Sequence, residues 1–384
     1  MSAAKSNKTT EHGLAYRRVV VKAGTNVLTT GTGALDAAVM ATLVEQVVRV
    51  REMGAQVVLV TSGAMAAGRD ALGQRASDKA VPELQQLAAI GQSRLMYQYQ
   101  ELFSHHDTLV AQALLTRRDV EDRQGYLNVR NTLEGLLDKG VVPVVNENDV
   151  VNVEELGQDG FGDNDQLSAL VANLIDADLL ILLTNTGGLY TADPHRDASA
   201  TLIEQVDRVD DAVLALAGEH RDANSRGGMR SKLESAKLAT SCGVTVVIAS
   251  GGEPDVVYKL VSGQKLGTLF PTIVSYMESR KRWLLSGLAP SGGVVVVDAG
   301  AVKALRESPS SLLPAGVKEV RGHFNRGDVV IIAGPDGERV ACGVVNYDDA
   351  DVRSVQGVRS NQILEKLGHH FGDEVVHRNN MVVL

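Results

Sequence analysis

Cysteine is nearly absent from this 384-residue chain: Cys242 and Cys342 stand far apart, with no CxxC and no histidine cluster nearby. That excludes a disulfide framework and a thiolate zinc site, and both residues read as small buried hydrophobes. An excess of basic charge is also missing. Thirty-eight Lys and Arg stand against 47 Asp and Glu, a formal net of −9, which argues against general affinity for nucleic-acid phosphates or anionic lipid but leaves room for a local anion site. Aromatic residues make up only 4%, too few for base-stacking platforms. No apolar run approaches the roughly 20 residues needed to cross a bilayer, so no membrane association is expected. The opening 13 residues are polar, with Lys5 and Lys8 but no apolar stretch behind them. They read as a loose tail, not a secretory signal, and the expected location is cytoplasmic. There is no Gly-Lys dipeptide and no GxGxxG, which excludes the P-loop and the dinucleotide fingerprint, so any phosphate site must be built another way.

The composition is ordinary for a globular protein, at 44% hydrophobic and 22% charged, and the length exceeds the roughly 250–300 residues one core usually serves. Two domains are therefore expected. Short β-branched apolar runs at 19–22, 57–61, 109–115, 141–146, 179–184 and 244–249 alternate with stretches of helical spacing at 36–53, 82–103, 125–139, 163–176 and 228–241. Uniformly apolar strands separated by helices imply an α/β domain with a mainly parallel sheet sandwiched by helices. From about residue 291 the texture becomes short β runs with Gly-Asp and Pro-Asp-Gly turns, a small β-rich, barrel-like module. The resulting division is a tail at 1–13, an α/β domain at 14–275, a linker at 276–290 holding Arg280-Lys281-Arg282 and the only tryptophan, Trp283, and a second domain at 291–384.

Polar residues gather where the apolar runs stop. Lys22 and Gly24 close the first strand: the lysine supplies a point charge and the glycine lets backbone N–H groups close on an anion, although an edge lysine before a plain turn would look the same. Ser62-Gly63 ends the second strand ahead of a helix, suited to a carboxylate or to simple capping. Asn146-Glu147-Asn148-Asp149 follows a buried run; turn chemistry explains these residues singly but less well together, and Asp149 is a candidate partner for a substrate ammonium. Asp163, Asn164 and Asp165 open a helix, with Asp163 readable as its N-cap. Thr184-Asn185 ends another strand, and Arg226-Gly227-Gly228-Met229-Arg230-Ser231-Lys232 starts a helix with paired glycines and a lysine one turn in. In a parallel sheet these strand ends and helix starts converge on one crevice.

With these residues in view, the chain resembles the amino acid kinase family, in its glutamate 5-kinase branch with a C-terminal PUA domain. The likeness rests on VVVKAGTNVL at 19–28, VTSGAMAAGR at 60–69, LAAIGQSRLM at 87–96, LLTRRDVEDR at 114–123, VVPVVNENDVV at 141–151, GDNDQLSAL at 162–170, GLYTADP at 188–194, GGMRSKL at 227–233, ESRKRW at 278–283 and SSLLPAGVKEVRGHFNRGD at 310–328. It implies the amino acid kinase fold with a PUA barrel, and phosphorylation of the L-glutamate side-chain carboxylate by ATP with Mg²⁺, the first step of proline biosynthesis. It further implies proline as a feedback inhibitor and a homo-oligomer, a dimer or tetramer. By the same likeness Lys22 and Lys232 hold the transferring phosphoryl group and Asp165 orients them. Ser62, Asp149 and Asn164 bind glutamate with help from Asn146, while Lys22, Gly24, Thr184, Asn185 and the stretch Arg226, Gly227, Gly228, Met229, Arg230, Ser231 and Lys232 line the ATP site. The chain departs from the usual family pattern at Asn185, where aspartate is common, at Arg226 and Arg230, where small hydroxyl residues are common, and at Asn26, where serine is usual.

Two alternatives remain open at this point. Another kinase of the same fold, acting on aspartate, acetylglutamate, carbamate or uridylate, would share much of the pattern. An RNA-binding PUA protein would need a basic second domain, whereas residues 291–384 hold 10 Lys and Arg against 12 Asp and Glu.

Overall fold

The structure, a computed structural model, describes residues 13–30, 33–73, 80–151, 164–194, 196–217, 228–272, 293–308 and 310–384. The chain divides into two compact units, 1–121 with 129–274 and 122–128 with 275–384. The expected linker at 276–290, with Arg280-Lys281-Arg282 and Trp283, lies outside the described residues.

The first unit is built on seven strands: β1 Arg18–Ala23, β2 Gln56–Val60, β3 Val110–Leu115, β4 Val142–Glu147, β5 Leu179–Thr184, β6 Thr245–Ser250 and β7 Thr268–Phe270. Their order is β3-β4-β2-β1-β5-β6-β7. Every pairing is parallel except β6 with β7. The six parallel strands fall on the six apolar runs of the sequence. The three-residue β7 is too short to leave a periodic signal.

Alternation of side chains across β1 sorts its residues between two faces. Val19, Val21 and Ala23 join a core with Met40, Leu43, Val44 and Val47 of the helix Ala37–Glu52, with Leu95, Tyr99 and Phe103 of the helix Val81–Ser104, and with Val256–Val261. Asp36 starts the first of these helices by accepting the N–H groups of Ala38 and Val39 at 3.0 and 3.1 Å. The intervening Val20 and Lys22 point to the other face, where the helix Asn164–Leu174 packs on β1 and against the helix Met229–Ser241.

Strand β1 pairs with β2 on one side and β5 on the other, so successive connections leave it in opposite directions. The crevice at the carboxyl ends of β1 and β5 is the topological switch point, where such sheets bind ligands.

The second unit holds β8 Val294–Val297, β9 Val317–Arg321, β10 Val329–Ala333, β11 Arg339–Val344 and β12 Met381–Val383, in the order β12-β11-β10-β8-β9. Its core gathers Val295, Val297, Val330, Ile332, Val340, Tyr347 and Ile363. Register shifts at Val296/Val297 and Ile332/Ala333 bend the sheet. Leu127 and Tyr126, from the short 122–128 piece, pack with Val329, Cys342, Val344 and Val382. Cys342 is buried as expected, but Cys242 is only half-buried, because it caps the end of the helix Met229–Ser241 and does not sit on its inward face. No helix among the described residues is long and apolar enough to cross a membrane.

Candidate active site

Lys22 stands one residue before the end of β1, and the pleat turns it onto the face covered by the helix Asn164–Leu174. The second residue of that helix, Asp165, is fully buried. One of its oxygens lies 2.6 Å from Lys22 Nζ, and the other accepts from Lys232 Nζ at 2.8 Å. Lys232 comes from the first turn of the helix Met229–Ser241, which packs beside the helix of Asp165. A single carboxylate thus spans two ammonium groups that would otherwise repel. The trio carries two positive charges against one negative in a desolvated place, an arrangement that favours an anionic ligand.

Gly24 adjoins this trio. Its φ of −80° is open to any residue, so the glycine is not there for backbone freedom. A Cβ at this position would stand 3.1 Å from Lys22 Nζ, and its absence clears the approach to the ammonium. Thr184 ends β5 on the neighbouring strand, donating through Oγ1 to Asn185 Oδ1 at 3.3 Å. Gly228 is the N-cap of the helix Met229–Ser241 and brings no side chain to its first N–H groups, while Met229 and Ser231 lie half-buried in the first turn. Arg230 points away, with 66% of its side chain exposed and its Nε 3.2 Å from Glu234. Arg226 and Gly227 lie outside the described residues.

A second cluster is neutral. Asn164, which opens the helix of Asp165, directs Nδ2 at the Thr61 carbonyl (2.7 Å), Ser62 Oγ (2.8 Å) and Asn146 Oδ1 (3.0 Å). Asn146 lies near the end of β4, next to β2, and its Nδ2 donates to Gln92 Oε1 at 2.7 Å. Asp149 is buried two residues beyond β4. Gly63 adopts φ +103°, and a Cβ there would approach Leu35 at 2.9 Å. Only glycine makes this turn comfortably, and it carries the chain from Ser62 directly into the helix Ala64–Leu72.

The structure brings Lys22, Asp165 and Lys232 into one cluster and Ser62, Asn146 and Asn164 into the other, both at the carboxyl end of the sheet. Asn164 and Asp165 are consecutive and serve one cluster each. Thr61 and Gln92, which lie in the segments 60–69 and 87–96 without an assigned role, join the neutral cluster. Thr61 contributes a backbone carbonyl, which no side-chain motif reveals, and its hydroxyl shares a 2.8 Å hydrogen bond with the fully buried Tyr99. Burial there pushes the Tyr99 hydroxyl above its ordinary pKa. Gln92 lies on a long helix, where a glutamine reads as solvated surface.

Comparison with known proteins adds an independent line. The amino acid kinase family matches residues 17–250, and the PUA domain matches residues 293–367. A glutamate 5-kinase from Dehalococcoides mccartyi (strain CBDB1) is 49% identical over 369 residues, 96% of this chain and 99% of that protein. Glutamate 5-kinases from Herpetosiphon aurantiacus and Shewanella oneidensis are 47% and 46% identical, covering 96% and 97% of this chain and 98% and 99% of their own lengths.

Proposed function

The chain belongs to the amino acid kinase family, and from that premise we propose that it moves the γ-phosphoryl group of ATP onto the side-chain carboxylate of L-glutamate. The product is L-glutamyl 5-phosphate, which opens the route to proline. The observation that carries this reading is the buried carboxylate of Asp165 shared between Lys22 and Lys232, together with near full-length likeness to glutamate 5-kinases.

Phosphoryl transfer asks little covalent chemistry of a protein and much electrostatic positioning. The glutamate side chain, with a reference pKa near 4.3, is ionised at neutral pH and needs no general base. Its oxygen attacks the γ-phosphorus, the bond to the β,γ-bridging oxygen breaks, and ADP leaves with that electron pair. Lys22 and Lys232 stabilise the charge spread over the equatorial oxygens, and Asp165 keeps both ammonium groups aimed at one point. Mg²⁺ carried by the nucleotide would supply further neutralisation of the phosphate charge beside Lys22 and Lys232.

On the amino-acid side, Ser62, Asn164 and Asp149 bind glutamate with Asn146 in support, Asp149 pairing with the ammonium. On the nucleotide side, Gly24, Thr184, Asn185 and the segment from Arg226 to Lys232 line the ATP site, in which Arg230 contributes backbone more than its outward guanidinium. Proline shares the ammonium and carboxylate of glutamate and competes for the same pocket. A cytoplasmic dimer or tetramer, readable by sedimentation, completes the proposal.

The test is ATP consumption with glutamate, aspartate and acetylglutamate offered in parallel. Glutamate is the expected preferred acceptor; equal or faster turnover of either of the others would overturn the assignment.

A further inference from the structure

The neutral cluster has a direction, and the direction ends on a residue to which no motif assigns a role. A backbone carbonyl can only accept, so the Thr61 carbonyl fixes which end of Asn164 faces it: the Nδ2 end, at 2.7 Å. The same Nδ2 donates to Asn146 Oδ1, which leaves the Asn146 nitrogen to donate to Gln92 Oε1. Each amide is thereby oriented by the one before it. Two ends of the relay are left over. Asn164 Oδ1, an acceptor on a side chain only 8% exposed, and Gln92 Nε2, a donor, are both buried atoms without a hydrogen-bond partner among the described residues.

Unmet buried polar atoms cost free energy unless a ligand completes them, and an acceptor and a donor at opposite ends of one relay match the ammonium and carboxylate of an α-amino acid. We propose that Gln92 is a substrate-binding, specificity-determining residue whose Nε2 donates to the α-carboxylate of the amino-acid substrate, with Asn164 Oδ1 accepting from its ammonium. The inference deepens the glutamate site proposed above and rests on that reading.

Local packing explains how a helix residue reaches the site. Gly91 and Gly68 face each other where the helices Val81–Ser104 and Ala64–Leu72 meet. A Cβ on Gly91 would lie 1.7 Å from the Ala64 carbonyl oxygen, and one on Gly68 would lie 2.0 Å from that of Leu87. Only two glycines permit so close an approach, and it brings the next residue, Gln92, within reach of Asn146.

Gln92→Glu keeps Oε1 for Asn146 and turns the Nε2 donor into an acceptor, so it preserves the relay while opposing a carboxylate. Steady-state kinetics should show the apparent KM for glutamate rising roughly ten- to hundred-fold, the worth of a hydrogen bond to a charged group, with the KM for ATP and the melting temperature unchanged. Binding of L-glutamate and of its α-amide to the full chain, measured by calorimetry, gives a second readout. The wild-type preference for glutamate over the α-amide should shrink in Gln92→Glu, and also in Gln92→Met, which keeps the length and serves if the glutamate variant precipitates. An unchanged preference in the variants, or an equal rise in the ATP constant, would overturn the role of Gln92. Failure of the wild-type chain to bind or phosphorylate glutamate would instead remove the functional reading beneath it.

Discussion

The cluster proposed for the phosphoryl group and the one proposed for the amino acid are built from different physics, although they share neighbouring residues of one helix. Lys22, Asp165 and Lys232 are charged, buried and joined at 2.6 and 2.8 Å. Their contribution is Coulombic and strong in a desolvated place, and losing one member strands the others. Ser62, Asn146, Asn164 and Gln92 are neutral, and what matters among them is which end of each amide faces which neighbour. The charged half tolerates little loss, whereas the neutral half spreads specificity over several weaker bonds. A transferring phosphoryl group is recognised by its charge and an amino acid by the placement of its donors and acceptors, so each half suits the ligand proposed for it.

Four substitutions sharpen this contrast, beginning with the largest effect. Lys22→Ala or Lys232→Ala removes one of the two cations proposed to face the developing charge. The expected result is a fall in kcat of roughly 10²–10³-fold, equivalent to about 3–4 kcal/mol, with the KM for glutamate nearly unchanged in initial-rate assays. A matching loss in glutamate affinity would mean that the two halves are not separable.

Asp149→Asn acts on the amino-acid side, at a buried carboxylate that stands outside the neutral cluster. It removes the proposed charge partner of the ammonium and should raise the KM for glutamate about 30-fold, or about 2 kcal/mol, while leaving that for ATP alone. Proline inhibition should weaken by a similar factor and be relieved by raising glutamate. Inhibition insensitive to glutamate would point to a separate allosteric site, and a rise in the ATP constant would move Asp149 to the nucleotide side.

The smallest expected effect belongs to Gly24→Ala. Its added Cβ, 3.1 Å from Lys22 Nζ, should crowd the approach to the ammonium and lower kcat/KM for ATP roughly ten-fold, equivalent to about 1.4 kcal/mol. Denaturation should be unaffected, since φ at Gly24 is ordinary. A loss of stability without a kinetic change would show that the space beside Lys22 serves folding and not the nucleotide.

Much of this molecule is determined by its sequence alone. In the first unit the apolar runs are continuous because a parallel sheet is covered on both faces, so six of its seven strands are readable from hydrophobicity, and the seventh is too short to carry a period. Lys22, Asp165, Lys232, Ser62, Asn146 and Asn164 are noticeable because charged and amide side chains are unusual directly after buried strands or at the openings of buried helices. Only tertiary structure decides that Asp165 holds both lysines, one of them 67 positions away, since sequence separation carries no distance. It also decides that Gln92 belongs with Asn146, 54 positions on. A glutamine on a long helix has the same pattern whether it faces water or a relay of amides. What turns it inward is the close glycine contact between two helices, a property of their packing that no local period encodes.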